Sequence, residues 1–405
     1  MKVLFIIDLY LSKGGASRAL QLYMQNNQEL EEPVAFCRCL EKDDSDSTAV
    51  QRASADEILD YYLEHHYQCL HYFRSNGWVL FKQLMQAAKQ RGIHLPVLTT
   101  VCQQPDYRGM MLQPFEITHS DMLVFIDKAA CNCPLYSFIP KERKAMIYCS
   151  FNTQSTKEET IRLADRARKT NPVPVIGRAS SLNKCPDDMF DVYDLLDEPK
   201  KILVIGGYDS KTTARIKRHC DKRKGSYAVE MTGELPYDEY MQRMTEIDIF
   251  LYHLPADAYS SVDGTLGAAM LMGKPCVYMG PPAPEERFEH GFNGFVAHSR
   301  EELAKYTNML IHDPALREKM GANARMTTLR DFSSEVTFPK YNALYAKIAN
   351  NRETPGIRAP FSLHASCFFH SRLPQTWGSA TYNLRRLKQR VRGKILSILH
   401  REPEH

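Results

Sequence analysis

Short apolar runs alternate with amphipathic stretches through the first part of the chain. The opening run, Met1 to Asp8, is apolar at nearly every position, which is typical of a parallel strand buried on both faces. Stretches with helical spacing separate the later runs, and this alternation predicts a doubly wound parallel sheet. The later predicted strands are 33–39, 95–102, 122–126 and 144–149, and the predicted helices are 19–26, 53–76 and 79–91.

The same alternation resumes after a charged helix predicted at 156–169. We therefore predict α/β domains at 1–155 and 156–350 and a basic extension at 351–405. Two such domains facing each other enclose a cleft, and open α/β sheets bind ligands at the carboxyl ends of their strands. In the second domain the predicted strands are 173–177, 201–207, 227–231, 247–252 and 276–279, and the predicted helices are 187–196, 211–219, 237–245, 265–272, 301–312 and 314–332.

Composition narrows the class of protein. The 405 residues are long for one domain, and 43% hydrophobic with 25% charged residues is ordinary for a globular protein. The eleven cysteines are scattered without zinc-site spacing, which indicates reduced thiols in a cytoplasmic protein. The start is too short and too soon acidic for a signal peptide, and no apolar run reaches membrane-spanning length.

The net charge of +4 conceals an asymmetry. Residues 354–405 carry nine Lys or Arg and two Glu, a formal +7, which leaves −3 for the remainder. The body of the protein therefore offers no electrostatic argument for binding nucleic acid. Within the tail, an apolar stripe at 384–398 is flanked by basic side chains at helical spacing. This stretch predicts either binding to an anionic membrane surface or a terminal helix docked on the body.

The stretch from Ala258 to Tyr278 has the first candidate site. A loop of small residues leads into a short apolar helix that ends at Gly273. The backbone N–H groups and positive dipole end of such a helix favour an anion such as a phosphate. A close-packed turn is the alternative, because small residues before a helix also serve that purpose. The candidate donor-binding residues here are Ser260, Asp263, Gly264, Thr265 and Leu266.

Two cations and two glycine pairs lie beside predicted strands. Arg178 follows one strand and Lys184 comes six residues later, so that both side chains can converge on a diphosphate. Two solvated surface cations are the alternative. Gly206-Gly207 permits close approach of a ligand, and Gly14-Gly15 forms a permissive loop in the first domain. The full Gly-x-Gly-x-x-Gly pattern is absent, which disfavours a dinucleotide site.

An ordered set of motifs resembles the GT-B glycosyltransferases, and within them the retaining glycosyltransferase family four. The motifs are Lys13-Gly14-Gly15-Ala16, Ile176-Gly177-Arg178 with Lys184, 203–207, 232–235, Ala269-Met270 with Gly273-Lys274-Pro275, 289–295 and 313–321. The resemblance implies two Rossmann-like domains, the first for the acceptor and the second for the nucleotide-sugar donor. It also implies that Arg178 and Lys184 contact the donor's phosphates.

The chain departs from the family's pattern at two carboxylates. The family has Glu-x7-Glu before its Ala-Met helix, whereas this chain has Ser260 and Ala268 at those positions. Asp263 is close enough in sequence to substitute for one of them, and Cys102 stands where the family often has a histidine. These departures imply a donor that is held differently, or an activity that is weak or lost.

The resemblance implies transfer of a sugar from a nucleotide-sugar donor to a glycan or lipid-linked glycan, with retention, in surface-polysaccharide assembly at the inner face of the membrane. Arg178, Lys184 and the helix N–H groups would stabilise the leaving diphosphate, so neither a metal nor a cofactor is expected. Asp8, Asp127 and His119 are available ionisable groups, each better interpreted as structural or capping.

Two alternatives to this activity stay open. The first is a catalytically inactive GT-B protein that binds a nucleotide, a glycan or a partner enzyme, which the missing carboxylates favour. The second is a nucleotide-sugar epimerase of the same architecture. The sequence disfavours it, because the expected acid and base residues are not evident.

Overall fold

A computed structural model describes residues 1–10, 15–40, 50–75, 77–102, 111–149, 158–170, 173–180, 188–206, 228–255 and 264–350, with single positions at 184, 186, 214, 218, 258 and 360. These residues form two compact units. The first unit takes in the described parts of Met1–Ser155, Ser260–Gly264 and Arg330–Arg372. The second takes in those of Thr156–Tyr259 and Thr265–Leu329.

The first unit is built on a parallel sheet. Its described strands are β1 (Val3–Tyr10), β2 (Val34–Leu40), β3 (Val50–Arg52), β4 (Cys69–Arg74), β5 (Val97–Val101), β6 (Met122–Phe125) and β7 (Lys144–Met146). They pair in the order β3-β2-β1-β4-β5-β6-β7. Along β1, Phe5 and Ile7 pack on one face and Leu4 and Ile6 on the other, so the strand is buried on both sides as predicted.

The second unit is built on another parallel sheet. Its described strands are β8 (Val175–Ala179), β9 (Lys201–Ile205), β10 (Ala228–Met231), β11 (Ile249–His253), β12 (Cys276–Met279) and β13 (Phe295–Val296). They pair in the order β10-β9-β8-β11-β12-β13. Both sheets confirm the predicted doubly wound α/β architecture.

Helices separate the strands in both units. They are α1 (Gly15–Asn26), α2 (Ala55–Glu64), α3 (Val79–Gln90), α4 (Pro114–Thr118), α5 (Lys128–Cys131), α6 (Glu158–Thr170), α7 (Met189–Asp194), α8 (Tyr237–Thr245), α9 (Gly264–Leu271), α10 (Pro282–Glu285), α11 (Arg300–His312), α12 (Pro314–Phe332) and α13 (Ser334–Ala349). In the second unit, α7 and α11 cover one face of the sheet, and α8 and α9 cover the other.

The predicted helix at 53–76 was wrong in its second half. A capping box between Ser54 and Glu57 starts α2, but the helix ends at Glu64. His66 then has a φ of 54°, and Cys69–Arg74 forms β4 between β1 and β5. Burial on both faces of a central strand overrides the helical spacing of its aromatic residues. The short strands β3 and β13 were also missed.

Helix α13 follows the last helix of the second unit in the chain but packs on the first unit. Asn342 exchanges hydrogen bonds of 2.9 and 3.3 Å with Asn27. Tyr345 lies 2.6 Å from His71 through Oη and Nδ1, and the Phe338 ring meets Tyr23 edge to face at 4.8 Å. The chain therefore returns to the first unit after the last helix of the second.

Two sequence predictions fall largely or wholly outside the described residues. They are the helix at 211–219, of which two positions are described, and the extension at 351–405, of which one is described. Among the helices that are described, none combines the length and the apolar character needed to span a membrane.

Candidate functional site

The carboxyl ends of β8 and β11 bring together several polar side chains in the second unit. Arg178 lies within β8 and not after it, and only 1% of the residue is exposed. This burial excludes the solvated surface cation that the sequence left open for Arg178. In a parallel sheet the helices that follow each strand begin at this same edge, so the starts of α7, α9 and α11 lie here too.

The Arg178 guanidinium is held by neutral acceptors. Nη1 donates to the carbonyl oxygen of His253 at 3.1 Å and contacts the sulfur of Met189 at 3.3 Å. Nη2 donates to Ser180 Oγ at 2.7 Å and to the carbonyl oxygen of Lys184 at 3.3 Å. The Lys184 backbone, and not its ammonium group, is therefore what the structure joins to Arg178.

No carboxylate pairs with Arg178 among the residues that the structure describes, and its buried Nε has no hydrogen-bond partner there. A buried cation without a counter-charge loses several kcal/mol of hydration, which hydrogen bonds to neutral acceptors repay only in part. An anion that accepts a hydrogen bond from Nε would supply both the missing charge and the missing partner.

Gly206 supports this arrangement through the backbone. A Cβ at this position would lie 2.1 Å from the carbonyl oxygen of Ser180, and the φ of 148° also favours glycine. The Ser180 N–H donates to the carbonyl of Ile205 at 3.2 Å. Gly206 therefore allows Ser180, directly after β8, to pack closely, which places the Ser180 hydroxyl within hydrogen-bond reach of the Arg178 guanidinium.

Helix α9 starts at the predicted anion-binding stretch. Gly264 is its exposed first residue, and Thr265 Oγ1 accepts a hydrogen bond of 3.2 Å from Tyr240. The Leu266 side chain is in the core, so only its backbone faces the helix start. At the other end, Arg325 donates to the carbonyl oxygen of Leu271, the last residue of the helix, at 2.9 Å and to that of Met272, directly after it, at 3.0 Å. Arg325 therefore caps the carboxyl end of α9, the end away from the candidate site.

The sequence prediction missed three side chains at this edge, His253, Asp188 and Arg300. His253 Nε2 lies 3.6 Å from the Asp188 carboxylate, which in turn lies 3.7 Å from Arg300 Nε. Burial, together with the smaller effects of the positive charges of Arg178 and Arg300, lowers the pKa of His253 to about 3. The one sequence signal for these residues was a histidine, His253, at the end of an apolar strand shortly before Pro255.

The remaining predicted donor residues are described only in part. Gly14, Gly207, Ser260 and Asp263 lie outside the described residues. Gly15 is the exposed first residue of α1 and belongs to the first unit.

The ionisable groups considered in the first unit have structural contacts. Asp8 accepts a bond of 2.6 Å from the N–H of Leu80 and pairs with Arg38, and Asp127 caps α5. His119 lies exposed at the end of α4. These contacts agree with the structural and capping interpretation. Burial raises the pKa of the Cys102 thiol well above its usual value.

A family model matches the part of the chain that contains this edge. Residues 157–327 match the model of the family described as glycosyl transferases, group 1. The matched segment spans β8 to β13 and includes Arg178, Lys184, His253 and α9. No curated protein matches the sequence.

Solved structures resemble the chain over most of its length. The Anabaena protein HepE, in complex with UDP, is 16% identical, has a TM-score of 0.68 and covers 86% of this chain and 100% of its own. Sucrose-phosphate synthase from Thermosynechococcus elongatus is 14% identical, with a TM-score of 0.64 and coverages of 86% and 98%. The lipopolysaccharide outer core galactosyltransferase WaaB is 16% identical, with a TM-score of 0.61 and coverages of 86% and 100%. This likeness establishes the GT-B fold.

Proposed function

We propose that this protein is a glycosyltransferase that moves a sugar from a nucleotide-sugar donor to a glycan or lipid-linked glycan. The observation that supports the proposal most directly is the buried Arg178 without a counter-charge. A nucleotide sugar has a diphosphate that supplies this charge. The complexes of HepE with UDP and with UDP-glucose, on the same fold, favour this class of ligand.

In the proposed reaction the bond between the anomeric carbon and the phosphate oxygen breaks, and the acceptor oxygen bonds to that carbon. Negative charge develops on the leaving diphosphate, where Arg178 and the N–H groups at the start of α9 would stabilise it. Attack on the same face, with the acceptor proton passing to the leaving phosphate, would retain the anomeric configuration. This scheme needs neither a metal ion nor a dedicated protein base.

The test is a screen of UDP-, GDP-, ADP- and CMP-sugars for thermal stabilisation and for transfer to acceptor extracts. Arg178→Gln is expected to weaken binding of the active donor roughly 10- to 100-fold, because a charge-assisted bond contributes about 1.5–3 kcal/mol. Arg162→Gln is the control, since Arg162 is exposed and pairs with the exposed Glu158 of the same helix. If Arg178→Gln binds and transfers like the unaltered protein, the site assignment is wrong.

One observation favours a second candidate, an inactive GT-B protein that binds its ligand without turnover. Ala268 lies in α9, packed against the core, at a position where the resembling family has a carboxylate for the donor. Stabilisation by a nucleotide sugar without transfer or hydrolysis, even with acceptor extracts present, would support this candidate and count against the enzyme.

We further propose that the basic stretch 384–398 binds an anionic membrane surface from the cytoplasmic side, which would bring the enzyme to a lipid-linked acceptor in surface-polysaccharide assembly. This proposal rests on the sequence pattern, because the stretch lies outside the described residues. Co-sedimentation with anionic vesicles should be lost on removal of residues 380–405, and equal sedimentation with and without them would contradict the proposal.

A further inference from the structure

His253 lies beside Arg178 on the same face of the second unit's sheet. The register pairs Ile249 with Ile176 and Phe250 with Gly177. Side chains alternate along each strand, so His253 and Arg178 both face the layer of α7 and α11. The carbonyl oxygen of His253 accepts the bond from Arg178 Nη1, so the two residues are in direct contact.

The imidazole of His253 is buried and incompletely paired. The residue is 4% exposed, and its Nδ1 has no hydrogen-bond partner among the described residues. Its Nε2 lies 3.6 Å from Asp188, beyond an ordinary hydrogen bond. Arg178 Nε is likewise buried and without a partner. Two nitrogens on neighbouring strands thus lack partners at the edge where this fold class binds its ligands.

We propose that His253 is a second ligand of the diphosphate, donating a hydrogen bond from its imidazole beside the Arg178 guanidinium. The proposal rests on the proposed function for the identity of the ligand, but not for the existence of the anion site. It also assigns a role to Asp188, whose carboxylate accepts from the opposite side of the ring when the imidazole is protonated.

The charged groups around His253 determine how this contact would form. Arg178 faces it from β8, Arg300 from α11 and Asp188 from α7. In the empty site, burial and the two guanidinium groups keep the imidazole neutral at pH 7. A diphosphate brings negative charge to the same place, which favours the imidazolium form. Binding should therefore take up a proton from solvent, and release should return it.

Calorimetric titration in PIPES and in Tris at pH 7 measures this proton, because the two buffers differ in ionisation enthalpy. The probes are UDP-glucose, whose esterified diphosphate has no group that titrates near pH 7, and pyrophosphate, which needs no base or sugar specificity. For at least one probe we expect the unaltered protein to take up more protons per site than His253→Gln does. The variant should also bind that probe at least tenfold more weakly.

Gln is a suitable replacement, because it keeps a hydrogen-bonding side chain of similar size but cannot be protonated. His312→Gln is the matched control: His312 is half exposed and lies 2.9 Å from Asp197, outside the cluster. It should bind and take up protons as the unaltered protein does. A circular dichroism spectrum and melting temperature like those of the unaltered protein establish that His253→Gln is folded.

Equal proton uptake in the unaltered protein and His253→Gln would overturn the proposal, and so would a failure to bind either probe. The outcome is separable from that of the proposed function. Pyrophosphate binding that depends on His253 and takes up more protons than in His253→Gln supports the proposal even if no nucleotide sugar is ever turned over. Sugar transfer without any effect of His253→Gln supports the function and contradicts the second ligand.

Discussion

A buried hydrogen bond between Tyr345 and His71 joins helix α13 to the first unit. Removing the Tyr345 hydroxyl measures how much this bond contributes to stability. Tyr345 Oη lies 2.6 Å from His71 Nδ1, and both residues are fully buried. The hydroxyl also interacts with Tyr23. Tyr345→Phe keeps the packed ring but leaves His71 Nδ1 without this partner, because His71 Nε2 is already engaged with Thr100 at 2.7 Å.

The loss of stability expected for Tyr345→Phe follows from the cost of leaving a buried polar atom without a partner, which is about 1–3 kcal/mol. Ring packing is unchanged, so we expect the free energy of unfolding of the first unit to fall by about 2 kcal/mol, roughly a 30-fold change in its equilibrium constant. The double variant His71→Leu with Tyr345→Phe removes both polar groups. It should therefore cost about 1 kcal/mol less than the sum of the two single variants.

Tryptophan fluorescence can follow the first unit alone. The chain has two tryptophans: Trp78 directly precedes α3 in this unit, and Trp377 lies outside the described residues. A Trp377→Phe background leaves Trp78 as the reporter in a urea titration. Tyr341→Phe is the control: among the described residues its hydroxyl has one hydrogen bond, of 3.3 Å from Thr100, and Thr100 remains bonded to His71 when that hydroxyl is removed. We expect a loss below about 1 kcal/mol for this control.

The reasoning would be refuted if Tyr345→Phe unfolded at the same urea concentration as the unaltered protein, or lost no more stability than Tyr341→Phe. Either result would mean that the His71 contact contributes nothing net, and that apolar packing alone holds α13 on the first unit.

Two other predictions concern stability. Burial lowers the pKa of His71 to about 3 and that of His253 to about 3, so between about pH 6.5 and 3 the unfolded chain binds more protons than the folded one. As the pH falls through this window, the free energy of unfolding should fall, by about 2 kcal/mol per histidine at pH 5. Urea titrations of the empty protein at pH 7 and pH 5 would detect this loss, and His71→Leu should reduce it. An unchanged urea midpoint would contradict the prediction. Arg325→Met removes the bonds to the end of α9 and the pair with Asp165 at 2.8 Å. The variant should lower the free energy of unfolding, followed by circular dichroism, by about 2 kcal/mol. The control Arg162→Met, on an exposed face, should change it by less than about 0.5 kcal/mol. Equal effects of the two variants would rule out the capping role of Arg325.

Much of the fold was predictable because the hydrophobic pattern is local. Runs such as Val3–Tyr10 and Lys201–Ile205 are apolar at almost every position, which only a strand buried on both faces requires. The pattern failed at Cys69–Arg74, where aromatic residues at helical spacing form a central strand. Pairing with two neighbouring strands decides the secondary structure of such a segment. Those strands are distant in the chain, so the local sequence does not show that the pairing will occur.

The candidate site divides in the same way. Arg178 was found because a charged residue interrupts an apolar run at a predicted strand end. The sequence did not distinguish a solvated Arg178 from a buried one. Strand pairing and the close approach at Gly206 bury it, and its acceptor at His253 is 75 residues away in the chain. Asp188 and Arg300 went unnoticed for the same reason.

The sequence by itself therefore determined two doubly wound sheets and the strand ends where a diphosphate ligand is expected, because strand burial and helix spacing are written in neighbouring residues. Only the tertiary structure decided that α13 returns to the first unit and that Arg178 and His253 share one buried edge. Both depend on contacts between distant segments, and the electrostatic cost of a buried, unpaired cation arises only once those segments exclude water.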